Sequence, residues 1–209
     1  MSIAKTTEDY IENHPSVKDC VIKDIVNFSN LSRQIIKDSQ LKKSDFDAVL
    51  IACRRYQRSN KQRHANEDLI IDLLEKSKIE VRTKICVAVI DKAVLTDELL
   101  SLEKEARKRK DIFYAIEGTS VITLVIPEQL LPLARRTFRN SIEKAQTDLA
   151  LVIITSPEDI EETVGFFSYT SSLLSYVNVN IIETMSCFAE TLFVIEEKDI
   201  GESMKALSP

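Results

Sequence analysis

Residues able to do chemistry are sparse in this chain, and one stretch holds the best of them. Within 148–197 an apolar run, Leu149–Ile154, leads into a polar segment that ends at Gly165, one of three glycines in the sequence. Glycine lets a backbone approach a ligand closely, and the unpaired N–H groups that open a helix attract a carboxylate. Thr163, Val164, Gly165 and Phe166 are placed to offer those groups, and Asn180 further on would fix a ligand amino group through its side-chain carbonyl. The same residues have a structural use. Gly165 would permit tight helix–sheet packing, and Asn180 would bond neighbouring backbone. Both readings stand at this point.

Other chemistry lacks raw material. The sequence contains no GxGxxG, P-loop, HExxH, GxSxG or paired CxxC pattern. Cys20, Cys53, Cys86 and Cys187 are scattered, and Cys53 and Cys86 sit among aliphatic residues, where a reduced cysteine behaves as a small hydrophobe. With only His14 and His64 present, no metal ligands, no catalytic residues and no cofactor are assigned. The acid clusters Glu158, Asp159, Glu161, Glu162 and Glu196, Glu197, Asp199 lie at loop or helix-start positions, where carboxylates suit the helix dipole.

The elements that would position the Gly165 loop follow from periodicity. Leu149–Ile154 reads as a buried strand. Phe166, Thr170, Leu173 and Val177 form a helical stripe that stops at Asn178, a residue that tolerates the left-handed conformation of a C-terminal cap. Val179–Met185 and Glu190–Ile195 read as two further strands. An earlier stretch has the same order. Ile85–Ile90 reads as a strand, a helix follows through Leu95, Leu99, Leu102 and Ala106, and Ile112–Ile116 and Val121–Ile126 form a hairpin around Glu117-Gly118. A helix then opens at Pro127-Glu128, with Pro132 kinking or restarting it. The first strands are offset by 64 residues and the last by 69, so two βαββα segments follow one another. Each lacks a fourth strand, and the missing edges would be filled by each other or by a second chain.

Gly165-Phe166-Phe167, Leu174 and Val179-Asn180-Ile181-Ile182 resemble the ACT-domain pattern, in which a glycine opens the first helix and an Ile/Val-Asn-Ile begins the second strand. The resemblance covers about fifty residues. It implies ferredoxin-like regulatory modules that bind amino acids at interfaces between paired domains. The first segment departs from the pattern, having no glycine in its strand-to-helix loop and no Asn at the matching place.

Residues 1–65 read differently. They carry 12 Lys+Arg against 8 Asp+Glu, a net +4, whereas 66–209 carry 16 against 25, a net −9. A helix starts around Thr6-Thr7-Glu8-Asp9, and Pro15 breaks or restarts it. Val17, Val21, Ile22, Ile25 and Val26 supply an apolar stripe. Ser29–Ile36 forms a second helix, and a third starts at a Ser44 cap with Phe46, Val49, Leu50, Cys53 and Tyr56 on one face. This is a helix-turn-helix outline, and Arg54, Arg55, Arg58, Lys61 and Arg63 would suit phosphates. Asp45 and Asp47 in the first turn of that helix would repel them, so a packing or dimerisation module is the competing reading.

The expected architecture is α+β: a small helical domain over 1–65, a connector helix over 66–80, and ferredoxin-like, ACT-like units over 81–147 and 148–209. The N-terminal MSIAKTTEDYIENHP lacks the basic-then-apolar order of a secretory signal, and no apolar run is long enough to span a bilayer, which points to the cytoplasm. The expected function is non-enzymatic regulation by an amino acid or similar metabolite. The expected partners are that effector, a second copy paired through the ACT-like sheets, and DNA if the head binds it; no membrane is among them. The alternative is an oligomerisation module with no small-molecule ligand.

Overall fold

The computed structural model describes residues 2–60, 65–93 and 96–208, which form two compact units, 1–69 and 70–209. The first is helical. It consists of α1 (Ile3–Glu12), α2 (Pro15–Ile22), α3 (Phe28–Asp38), a 3-10 turn at Lys43–Asp45, and α4 (Phe46–Asn60). The side chains of Ser2 and Asn27 accept from the N–H groups of Lys5 and Asn30, capping α1 and α3. Proline at its first turn lets α2 start immediately after α1 ends.

α4 packs against both α1 and α3, over a core that includes Ile11, Val21, Leu31, Ile35, Val49 and Cys53. Three expectations need correction. The first helix begins at Ile3 rather than Thr6 because Ser2 is the cap, and Ile25 lies outside the stripe, 70% exposed after α2 has ended. The cap expected of Ser44 is made instead by Asp45, whose carboxylate accepts from the Lys42 N–H at 3.1 Å.

The second unit is one antiparallel six-stranded sheet with helices. α5 (Ala65–Glu75) leads into β1 (Lys78–Asp91), α6 (Thr96–Arg109), β2 (Tyr114–Glu117), β3 (Val121–Pro127), a 3-10 turn and α7 (Leu131–Phe138). Then come β4 (Ile142–Thr155), a 3-10 turn at Glu158–Glu162, α8 (Phe166–Tyr176), β5 (Glu183–Cys187), β6 (Glu190–Glu196), another 3-10 turn and α9 (Ile200–Leu207). The strand order is β2-β3-β1-β4-β6-β5. β1 and β4 begin 64 residues apart (78 and 142), and β3 and β6 begin 69 apart (121 and 190).

Both central strands are longer than their apolar runs. Each extends in the N-terminal direction by an amphipathic half, Lys78–Lys84 and Ile142–Asp148, and the two strands pair along their whole length from Lys78↔Thr155 to Ile90↔Ile142. Mid-strand, Lys84 and Asp148 both adopt left-handed φ, 58° in each case, and the ladder is irregular there. The backbone N–H groups of these two residues donate to glutamates, Lys84 to Glu197 at 2.6 Å and Asp148 to Glu128 at 2.7 Å. Those glutamates each open the 3-10 turn that follows β6 and β3, so the two bends are secured by matching reciprocal contacts.

Alternation along β4 divides the core. Ala150, Val152 and Ile154 join Ile70, Leu73, Phe166, Leu174, Phe193 and Leu207 under α5, α8 and α9. Further along the sheet, Cys86, Ala88, Ile90, Leu102, Leu124, Leu130 and Phe138 form the counterpart under α6 and α7. The opposite parity (Leu149, Leu151 and Ile153, with Ile85, Val87, Leu192 and Val194) makes a cluster free of helix residues. Ile112 just before β2 and Tyr114 at its start, with Ile182 just before β5 and Met185 within it, pack against this cluster.

Candidate functional site

The segment that joins β4 to α8 is shaped by its own backbone. Pro157 starts the 3-10 turn, the Ile160 N–H donates to the Pro157 carbonyl (3.1 Å), and the Thr163 N–H donates to Ile160 (3.1 Å). The Thr163 hydroxyl donates to the Asp159 carbonyl at 2.8 Å. Gly165 then takes φ 100°, a left-handed value that side chains disfavour, and caps α8. A Cβ there would lie 3.4 Å from Ile70 Cδ1, an ordinary contact. Conformation rather than space therefore requires the glycine. The Tyr169 N–H is the first to find a helix partner, the Gly165 carbonyl at 2.8 Å. The N–H groups of Phe166, Phe167 and Ser168 precede it in the first turn, where no intrahelical acceptor exists.

A cleft of about 630 Å³ opens at this turn. Ile160, Glu161, Thr163 and Gly165 line one side with Phe166, Phe167 and Ser168, and the β5–β6 hairpin contributes Ser186, Phe188 and Thr191. The Phe167 ring stacks on Phe193 with centroids 5.7 Å apart, anchoring one wall in the core. Phe188 stands 61% exposed at the hairpin turn with φ 50°. The arrangement places hydrogen-bond donors and the positive helix end beside a single carboxylate, Glu161, and two aromatic rings.

The structure gathers part of the expected set. Thr163, Gly165 and Phe166 line the cleft, although the Thr163 N–H is already used and the Phe166 ring is buried in the core. The Val164 side chain is 77% exposed and lies outside the cleft lining. Asn180 is exposed, outside the lining, and precedes the strand it was expected to open. β5 begins only at Glu183 because the chain first closes the helix. Asn178 takes φ 61°, the Val179 N–H donates back to Leu174 (3.0 Å), and Val179 is buried. Ser168, Ser186, Phe188 and Thr191 are not singled out by the sequence, and Glu161 reads there only as a helix-start acid. An aromatic at a hairpin turn was the one available signal.

A second cavity of about 480 Å³ lies at the β1 bend, lined by Arg82, Lys84, Asp111, Glu128 and Gln129 among others. Most of its polar groups are engaged with protein: Gln129 donates to Asp111 (2.8 Å), Glu128 holds the Asp148 N–H, and Lys84 pairs with Glu197 (3.3 Å). That pattern secures the bend. In the helical unit, Arg54, Arg55 and Arg58 are exposed on the C-terminal half of α4 and form no ion pair among the described residues. Lys61 and Arg63, like His64, lie outside the described residues.

Burial pushes the Cys53 and Cys86 thiols up to about 11, which disfavours thiolate chemistry and suits their places in the cores. Among the described residues no group of three His, Cys, Asp or Glu could hold a metal ion, and no helix is long and apolar enough to cross a membrane.

No family model matches the chain, and no curated protein matches it. Solved structures do match in fold. Aspartate kinase from Clostridium acetobutylicum superposes with a TM-score of 0.52 at 19% identity, covering 62% of this chain and 33% of the kinase. The regulatory subunit of aspartate kinase from Thermus flavus superposes with a TM-score of 0.50 at 10% identity, covering 62% of this chain and 94% of the subunit. The chain thus spans about a third of the whole kinase and nearly all of the regulatory subunit. The match is one of fold, in line with the ACT-domain resemblance of residues 165–182.

Proposed function

We propose that this protein is a non-enzymatic regulator whose cleft ahead of α8 binds an amino acid or a similar zwitterionic metabolite. The observation that carries the reading is the pairing of opposite charge preferences in one cleft. The first-turn N–H groups of Phe166, Phe167 and Ser168 suit a carboxylate, and the Glu161 carboxylate suits an ammonium. Glu161 takes the role first expected of Asn180. Ser168, Ser186 and Thr191 add hydroxyls, and Phe167 and Phe188 add apolar area for a side chain.

On this reading residues 81–147 and 148–209 are two ACT-like, ferredoxin-like units, after a helical domain over 1–65 and a connector over 66–80. A fourth strand beside each apolar run would be the amphipathic half of the other long strand, Ile142–Asp148 beside β1 and Lys78–Lys84 beside β4, as the β1–β4 register allows. The second unit has the glycine in its strand-to-helix loop, and among the described residues the cleft lies there. The protein would work in the cytoplasm, and its output would pass through residues 1–65. A transcriptional version uses Arg54, Arg55 and Arg58 on DNA, and salt-dependent binding of duplex DNA, lost on reversing Arg54 and Arg58, checks it.

Calorimetric titration of the twenty amino acids tests the effector reading. One or a few should bind, and Glu161→Gln should weaken binding by about tenfold or more through loss of a charge-assisted contact. Binding unchanged in that variant would remove Glu161 from the site.

The absence of charge on α8 favours a second reading, assembly. From Thr163 to Ile182 no residue is charged, and Phe167 and Tyr176 are exposed. Such a face is suited to being covered by another copy. Light scattering on the purified chain distinguishes a monomer from a dimer.

A further inference from the structure

The helical unit carries a groove that the regulatory reading leaves unused. It lies between the C-terminal half of α3 and the start of α4 and encloses about 710 Å³. Ile36, Leu41 and Phe46 form its floor, with Ile36 buried and the other two half-buried. Arg33, Lys37 and Lys43 stand exposed around it, and no carboxylate lines it.

The three cations are available to a partner. None of them forms an ion pair among the described residues, whereas lysines elsewhere in the protein pair repeatedly with Asp and Glu. The nearest acids in sequence are occupied otherwise. Asp38 accepts from the Tyr10 hydroxyl (2.8 Å) and from Gln34 (2.9 Å), and Asp45 accepts from the Lys42 N–H. Arg33 is held in place by its bond to Asn30 (2.9 Å) and by lying 5.6 Å from the centre of the Phe46 ring.

From this charge pattern we infer that the groove binds an acidic amphipathic peptide segment of a partner protein. Its apolar side chains would sit on Ile36, Leu41 and Phe46, and its Asp or Glu residues would meet Arg33, Lys37 and Lys43. An apolar floor of three side chains matches two or three anchors on one face of a short helix. Nucleic acid would use the cations and leave the floor bare, so peptide is favoured.

Selection of a displayed random twelve-residue peptide library on the full-length protein is the test. Enriched sequences should carry two or more large apolar residues flanked by Asp or Glu. A synthetic copy of the strongest should bind at least about tenfold less tightly to Lys37→Glu/Lys43→Glu, with salt weakening the wild-type complex. Both lysines are exposed, so the variant should melt as the wild type does. Should that variant unfold, Lys37→Gln/Lys43→Gln gives the same comparison. No enrichment, a consensus without acids, or equal binding to wild type and variant would each overturn the inference. So would selected peptides that compete only with duplex DNA for Arg54 and Arg58 and leave Lys37 and Lys43 indifferent.

Discussion

α6 and α8 occupy matching places, each following a long central strand, yet they have opposite surfaces. The α6 sequence TDELLSLEKEARKR carries eight charged side chains, with acids in its first turn and Arg107, Lys108 and Arg109 in its last. The α8 sequence FFSYTSSLLSY carries none. Three of its hydroxyls turn back on the helix itself: Thr170 donates to the Phe166 carbonyl, Ser171 to Phe167 and Ser172 to Ser168. The intervals in sequence differ in the same way, ten residues separating β4 from α8 and four separating β1 from α6. The framework is duplicated and the site is not. Strands, bends and glutamate contacts recur because the sheet needs them twice, whereas the loop glycine and the neutral helix occur once, and among the described residues so does the cleft ahead of such a helix.

The largest expected effects test whether the two halves share one sheet in energetic terms. Phe193 and Leu124 hold matching places on β6 and β3, and both are fully buried. Phe193→Ala should cost about 3–5 kcal/mol and Leu124→Ala about 2–5 kcal/mol. Each should shift a single denaturant transition of residues 70–209. Separate transitions, one per substitution, would break the picture of a continuous sheet.

Gly165→Val comes next. Holding a β-branched residue at left-handed φ costs about 1–3 kcal/mol, and effector binding should be lost with it. No residue of the first segment should reproduce that pair of effects, and an Ala93→Val variant with the same loss of binding would equate the two loops.

Smaller still is the effect of acid on one of the reciprocal contacts. The Lys84 N–H and ammonium hold the Glu197 carboxyl below its ordinary 4.5 in the folded protein. A depressed value means that its stabilisation is present above the unfolded value and fades as pH falls through the folded one. Wild type should therefore exceed Glu197→Gln in stability at neutral pH, and the gap should close in the acid range. A gap that stays constant with pH would show the charge to be irrelevant.

The smallest change in stability distinguishes the helices most cleanly. Ser101→Glu on α6 and Ser175→Glu on α8 are both exposed substitutions and should alter folding by no more than about 0.5 kcal/mol. If a second copy covers α8, only Ser175→Glu should reduce the mass seen by light scattering.

What the sequence disclosed depended on how strongly local residues constrain the backbone. The aliphatic runs of the four longest strands, the left-handed Asn178 and the helix over Phe166–Tyr176 were legible because burial and capping leave few alternatives there. The amphipathic halves Lys78–Lys84 and Ile142–Asp148 were not. Their alternation of Lys, Glu and Arg with Ile and Val describes a strand only once it has a partner, and that partner is the apolar run of the other long strand. For the site, Gly165 announced itself through chemistry that only glycine performs readily. Glu161 looked like one more helix-start acid, and Ser186, Phe188 and Thr191 enter from a hairpin some twenty residues downstream, carried there by the pairing of β5 with β6. Asn180 misled because Val179 is consumed in closing α8, which delays the strand.

The most direct measurement of the central claim is thermal unfolding of wild type and Gly165→Val against the twenty amino acids. A ligand present at a hundred times its dissociation constant adds about 2.7 kcal/mol to the stability of the folded state. One amino acid, or a few of related shape, should raise the wild-type melting temperature and leave Gly165→Val unmoved. A panel with no shift, or an equal shift in both proteins, would contradict the assignment of an effector site to the cleft ahead of α8.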